Sequence, residues 1–114
     1  MGNTTISYAD FEKVEMRVGK ILDARDFPEA RKPAYRLKID FGSEIGLKNS
    51  SAQLTKRYSK EDLVGRKIVA VVNFAPKQIA NFVSEVLVLG VADENGGIIL
   101  LATENEAPLG TRVY

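Results

Sequence analysis

The side chains best suited to do chemistry in this chain lie between Phe74 and Glu85, which read Phe-Ala-Pro-Lys-Gln-Ile-Ala-Asn-Phe-Val-Ser-Glu. Aromatic and aliphatic groups alternate there with hydrogen-bonding Gln78, Asn81 and Ser84, after a proline that stops the preceding strand. In a loop, such a mixture suits a pocket that takes apolar side chains while bonding a peptide backbone. It equally suits the stacking of an unpaired base on an aromatic ring. A packing role, with Phe74 and Phe82 as plugs of the core, uses the same side chains, and composition does not separate the three.

Catalytic chemistry is thin. The chain has no histidine, cysteine or tryptophan. That removes the commonest general base and metal ligand, the thiolate nucleophile, disulfides and thiolate metal sites. Glu61-Asp62 and Asp93-Glu94 are adjacent carboxylates, but neighbours along a chain point to different sides. Both pairs sit in turn signals, where acids cap helices or stay hydrated. Ser84-Glu85 lacks a plausible activated base, and Gly96-Gly97 has no following helix or lysine to make a phosphate cradle. The expectation is a protein that binds and does not catalyse, with no metal and no cofactor.

The elements that must position these residues are short. Ser7 and Asp10 have capping-box spacing and open a helical turn through about Lys13. A first strand is expected from Val14 to Ala24, with Gly19 marking the bend or bulge that a small closed barrel needs. Two prolines and several charges make a loop of residues 26–33. A second strand follows, in which Tyr35, Leu37, Ile39 and Phe41 alternate with Arg36, Lys38, Asp40 and Gly42. Ile45 to Leu54 reads as a third strand whose polar centre, Asn49-Ser50-Ser51, is expected to face a groove or solvent. After a second capping box at Ser59 and Asp62, a fourth strand runs from Lys67 to about Phe74. Val86 to Ala92 and Ile98 to Ala102 flank a strong hairpin turn at Asp93-Glu94-Asn95-Gly96-Gly97.

Five or six short strands, little helix and glycine bends fit an all-β Greek-key barrel of the OB type, with a split sandwich as the competitor. The last strands are apolar on both faces, and one face of each can point into the barrel. The other needs cover from a second subunit, or from Phe11, Val14 and the C-terminal tail of the same chain. At 114 residues the length suits one domain over residues 1–114. No apolar run approaches the roughly 20 residues of a membrane span. Met1-Gly2-Asn3-Thr4-Thr5 lacks the basic and apolar regions of a signal peptide, and Ile6 stands where a myristoylation motif wants Ser or Thr. A cytoplasmic location is the expectation. Net charge is +1, yet residues 31–67 carry ten Lys and Arg against four Asp and Glu. A basic face after folding is one outcome and solvated strand faces are the other.

Two segments resemble the signatures of the tRNA-binding domain, an OB-fold module found on aminoacyl-tRNA synthetases and accessory proteins. They are Arg17-Val18-Gly19-Lys20-Ile21, and Asn73-Phe74-Ala75-Pro76-Lys77 followed by Ser84-Glu85. The likeness extends over nearly the whole chain. It is greatest to the stand-alone export chaperones of this family, through residues 27–35, Ile39-Asp40-Phe41-Gly42, residues 48–53, Val71-Val72-Asn73-Phe74 and residues 81–87. The resemblance implies a five-stranded OB-fold barrel with a short N-terminal helix and a C-terminal extension that form a homodimer. It also implies binding of unfolded precursor proteins or peptides, with delivery to the secretion motor.

On that basis the peptide site is expected at Phe74, Ile79 and Phe82, with Ser51, Gln53, Asn81 and Ser84 bonding the peptide backbone. The alternative is a tRNA site in which Lys38, Lys48, Lys56, Arg57 and Lys77 meet phosphates, beside Asn73, Ser84 and Glu85 of the second signature. Family members that bind tRNA usually carry cations where this chain has Ala75 and Ala80, and glycine where it has Asn81. Losing two cations removes phosphate contacts and their counterion release, so peptide is placed first and tRNA second. A scaffolding dimer without a ligand is the third reading.

Overall fold

A computed structural model describes residues 4–114; the expectation placed on Met1, Gly2 and Asn3 lies outside them. The chain runs α1 (Tyr8–Glu12), β1 (Met16–Asp26), β2 (Tyr35–Asp40), α2 (Gly42–Ile45), β3 (Leu47–Ala52), α3 (Lys60–Leu63) and β4 (Lys67–Val71). It continues through β5 (Lys77–Ile79), β6 (Phe82–Ser84), β7 (Leu87–Val88), β8 (Gly90–Ala92) and β9 (Ile98–Leu100). Five antiparallel strands form one sheet in the order β3-β2-β1-β4-β7. Side-chain and backbone bonds then draw its two ends together into a nearly closed OB-type barrel.

β1 does two jobs along its length. Its first half pairs with β4 from Met16↔Val71 to Lys20↔Lys67, and its second half pairs with β2 from Lys20↔Asp40 to Asp26↔Tyr35. The change of partner requires a bend, and the register shifts by a bulge between Ile21 and Asp23. Gly19 lies in that bend. A Cβ there would stand 2.6 Å from Cε1 of Phe41 and 2.7 Å from Cγ2 of Ile39, so the missing side chain is what lets these two reach the core.

The interior is apolar and closely filled. Ile21, Leu37, Ile39, Phe41, Leu63 and Ile68 are all fully buried. Leu63 projects from α3, whose N-terminus is fixed by the reciprocal Ser59–Asp62 capping box read from the sequence. The Ser7–Asp10 capping box is likewise present at α1. Past α3 the chain returns to the bend of β1, where Gly65 N donates to Ile21 O and Ile21 N donates to Arg66 O.

The C-terminal tail meets the outer edge of β1 and the end of α1. Val18 N donates to Thr111 O, Gly110 N to Val18 O and Val113 N to Met16 O, at 2.8–3.0 Å. The Arg17 guanidinium also holds Gly110 O at 2.8 Å, and Arg112 donates to Glu12 O at the end of α1. The tail thus occupies strand-pairing groups that would otherwise form an open edge.

Four expectations are corrected. Strand three, expected from Ile45, begins at Leu47, because Ile45 closes the helical turn α2, which Gly42 opens and Gly46 ends with positive φ of 87° and 84°. Ser50 is fully buried, and its Oγ donates to Val86 O at 3.0 Å, so a polar strand centre here marks an internal bond and not a solvent face. β4 ends at Val71, where the side chain of Asn73 takes over: Oδ1 accepts from Glu15 N and Nδ2 donates to Lys13 O. The expected strand 86–92 is split into β7 and β8, as the chain leaves β4 to pair with β9.

Gly19→Ala is predicted to lower unfolding stability by about 1–3 kcal/mol, the usual range for overpacking a filled core. A shift in denaturation midpoint with unchanged slope is the expected result.

Candidate binding groove

Residues 74–85, read above as a loop, fold into a second small sheet. β5 and β6 pair as Lys77↔Ser84, Gln78↔Val83 and Ile79↔Phe82, joined by the two-residue turn Ala80-Asn81. Ala80 adopts φ of 52°, the left-handed conformation such hairpin turns require and alanine resists. Gln78 Nε2 steadies the turn by donating to Ala80 O at 2.7 Å. Pairing puts Lys77, Ile79, Phe82 and Ser84 on one side of the hairpin and Gln78 and Val83 on the other.

That first side leans over the place where β3 and β7 approach, and the seam between them is made largely by side chains. Glu85 N donates to Asn49 O at 2.8 Å, and Asn49 N donates back to Glu85 Oε1 at 2.9 Å. Ser51 N donates to Ser84 Oγ at 3.0 Å. With the Ser50–Val86 bond, these contacts close the barrel and fix the hairpin to it.

Two depressions flank the seam. One, of about 370 Å³, is lined by Phe74, Ala75, Lys77 and residues 84–87. The other, of about 500 Å³, is lined by Ser51, Gln53, Lys77, Ile79, Ser84, the 86–88 segment and Ile98, among others. Lys77, Ser84, Val86 and Leu87 border both, so the two form one groove. Phe74 is 56% exposed and Leu87 49% exposed, a large apolar offering for a domain of this size. Lys77 forms no ion pair among the described residues.

The groove brings together Phe74, Ile79, Ser51, Gln53, Ser84 and Lys77 from the expected set. It leaves out two. Phe82 turns toward buried Phe27, with ring centroids 5.4 Å apart, and so anchors the hairpin. Asn81 is exposed at the hairpin tip. Leu87, Val86, Val88 and Ile98 are groove residues that site reasoning from sequence missed; the doubly apolar run 86–92 was the available signal.

The cations expected to meet phosphates are scattered. Lys38 opposes Asn49 and Lys48 opposes Ile39, which puts the two lysines on opposite faces of the sheet. Lys56 and Arg57 lie by the β8–β9 turn, where Lys56 Nζ donates to Asn95 O and Arg57 pairs with Asp93 at 3.1 Å. Asn73, Ser84 and Glu85 are engaged in the internal bonds already described. Among the described residues, no cluster of three or more acidic side chains is placed to hold a metal ion, and no helix is long and apolar enough to cross a membrane.

Asp93 organises the turn beneath this region. Its Oδ1 accepts from Asn95 N and Gly97 N, both at 2.8 Å. The Asn95 amide bond first, then the Arg57 guanidinium and the Gly97 amide, hold its carboxyl below the ordinary 3.8. A depressed carboxyl stabilises the fold fully above its unfolded value and loses that contribution as pH falls through the lower folded one. Asp93→Asn keeps an acceptor and removes the titration, so its acid-unfolding limb below pH 3.8 is predicted to be shallower than that of the parent, as followed by circular dichroism.

The family model described as a putative tRNA binding domain matches residues 16–112. The crystal structure of chaperone CsaA from Bacillus anthracis is 52% identical, covers 97% of this chain and all of its own, and superposes with a TM-score of 0.90. That of the CsaA chaperone protein from Picrophilus torridus is 55% identical, with 96% of this chain and 100% of that chain covered and the same TM-score of 0.90. A methionine–tRNA ligase from Thermococcus onnurineus is 38% identical over 108 residues, which are 95% of this chain but 14% of the ligase. The chain therefore spans a small part of the curated relatives it matches and the whole of the two chaperone structures.

Proposed function

This chain belongs to the tRNA-binding-domain family, and from that footing we propose that it is a homodimeric chaperone binding unfolded precursor proteins or peptides. The observation that carries the reading is the groove: an apolar depression with exposed Phe74 at one end, joined at Leu87 to a second depression of mixed polar and apolar lining. Gln53 and the Ser51 hydroxyl provide hydrogen-bonding groups along the second. An extended segment presents apolar side chains and unpaired backbone groups together, and this combination matches both. The 52–55% identity to structures named as chaperones gives the proposal its class. An export role, with clients passed to the secretion motor, follows from the family resemblance.

Dimer formation is assigned to the β8–β9 hairpin. Val91 and Ile99 are cross-strand partners, and Leu101 lies two residues beyond Ile99 on the same side. All three are exposed, while Ile98 and Leu100 on the opposite side pack on the core. A strand pair apolar on both faces needs a second cover.

The second reading is tRNA binding, favoured by the uncommitted cation Lys77 at the junction of the two depressions, beside exposed Phe74. The readings separate by salt. Peptide held by apolar contact depends weakly on ionic strength, whereas RNA affinity falls linearly on logarithmic axes with a slope set by the phosphates contacted.

For an unfolded precursor peptide, Phe74→Ala and Leu87→Ala are each predicted to weaken binding by about tenfold, the loss of roughly 1–2 kcal/mol of apolar burial. Binding with a shallow salt slope that neither substitution alters removes the groove from the mechanism. Ile99→Asp is predicted to convert the dimer to monomer in light scattering; a parent that is already monomeric refutes the assigned interface.

A further inference from the structure

We propose that the cleft between the β1–β4 pair and the 102–106 segment is a phosphate-binding site for which Glu106 competes from within. The cleft has a volume of about 720 Å³, with Lys20, Gly65 and Lys67 on one wall and the 102–106 segment on the other. It shares no residue with the groove, so the proposal does not depend on the peptide reading.

Lys20 and Lys67 are direct cross-strand partners. Like charges so placed repel each other and destabilise the pair, and an anion between them relieves this. In the free chain Glu106 neutralises one of the two: its carboxylate accepts from Lys67 Nζ, which also reaches Ala107 O at 3.4 Å. Both lysines draw the Glu106 carboxyl below its ordinary range, Lys67 the more strongly.

The two partners are unequally held. The Lys67 side chain is 29% exposed, that of Glu106 85%. The cation is therefore built into the barrel wall, while the carboxylate sits on a surface segment whose turn is braced by Thr103 Oγ1 donating to Asn105 O. An ion pair with so exposed a partner is easily exchanged. A phosphate group brings denser charge and more acceptor oxygens to the same two ammonium groups, and lysine is a standard point-charge phosphate ligand. Glu106 thus acts as an internal competitor that restrains affinity for phosphate groups, whether free or in a ribonucleotide backbone.

The test uses the full chain, titrated with inorganic phosphate at constant ionic strength while the amide resonances of Lys20, Gly65 and Asn105 are followed by NMR. Saturable shifts are expected at these positions. Glu106→Gln should tighten the site by about fivefold, the scale of an exposed ion pair. Lys20→Gln, at an exposed position where folding is not at stake, should reverse the gain. A parallel titration with a short single-stranded ribo-oligonucleotide distinguishes the sources. The same amides and the same gain identify a backbone phosphate, and a response to inorganic phosphate alone identifies a small phosphate compound. Shifts that do not saturate in Glu106→Gln, or that survive Lys20→Gln unchanged, overturn the proposal.

Discussion

A strand of eleven residues that must pair with β4 at one end and β2 at the other cannot stay straight. The bend in β1 is the constraint from which the rest of the barrel follows. It is possible because Gly19 offers no Cβ to Phe41 and Ile39, and because the bulge between Ile21 and Asp23 absorbs the change of register. With β1 bent, β3 and β7 are carried around to face one another. The outer edge of its first half is then left for the C-terminal tail, which takes up its backbone groups.

How the facing strands meet determines the surface available for binding. A full backbone ladder between β3 and β7 would have sealed the barrel and left a flat wall. Here Ser50, Ser84 and Glu85 supply several of the bonds with their side chains, and the polypeptide between β4 and β7 rises away as the β5–β6 hairpin. The depressions on either side of the seam are the space this arrangement leaves. Fold closure and the groove therefore rest on the same three polar residues, which is why polar groups stand in strands otherwise built for an apolar interior.

Much of the fold was legible in the sequence because its local signals are strong. The alternation from Tyr35 to Phe41, the two capping boxes and the Asp93–Gly97 turn each have one dominant structural solution. The β5–β6 hairpin was not legible. Its left-handed position is held by Ala80, where glycine or asparagine would have announced it, and φ of 52° runs against alanine's local preference. Ser50 misled for a related reason: a serine satisfied by a distant carbonyl looks the same in sequence as one that faces water. At the site, residue type identified Phe74, Ile79 and the polar groups of the groove. It could not say which of two similar phenylalanines turns inward, since that depends on Phe27, 55 positions upstream of Phe82.

The meeting of α1 with the C-terminal tail has a consequence of its own. Tyr8, Phe11 and Glu12 share a small surface hollow with Arg112, Val113 and Tyr114, so entry to and exit from the barrel lie side by side. A unit with neighbouring entry and exit can be spliced into a longer polypeptide without prising the host's own segments apart. The bonds of Arg17 and Arg112 that tie the tail to β1 and α1 thereby also keep the points of entry and exit together.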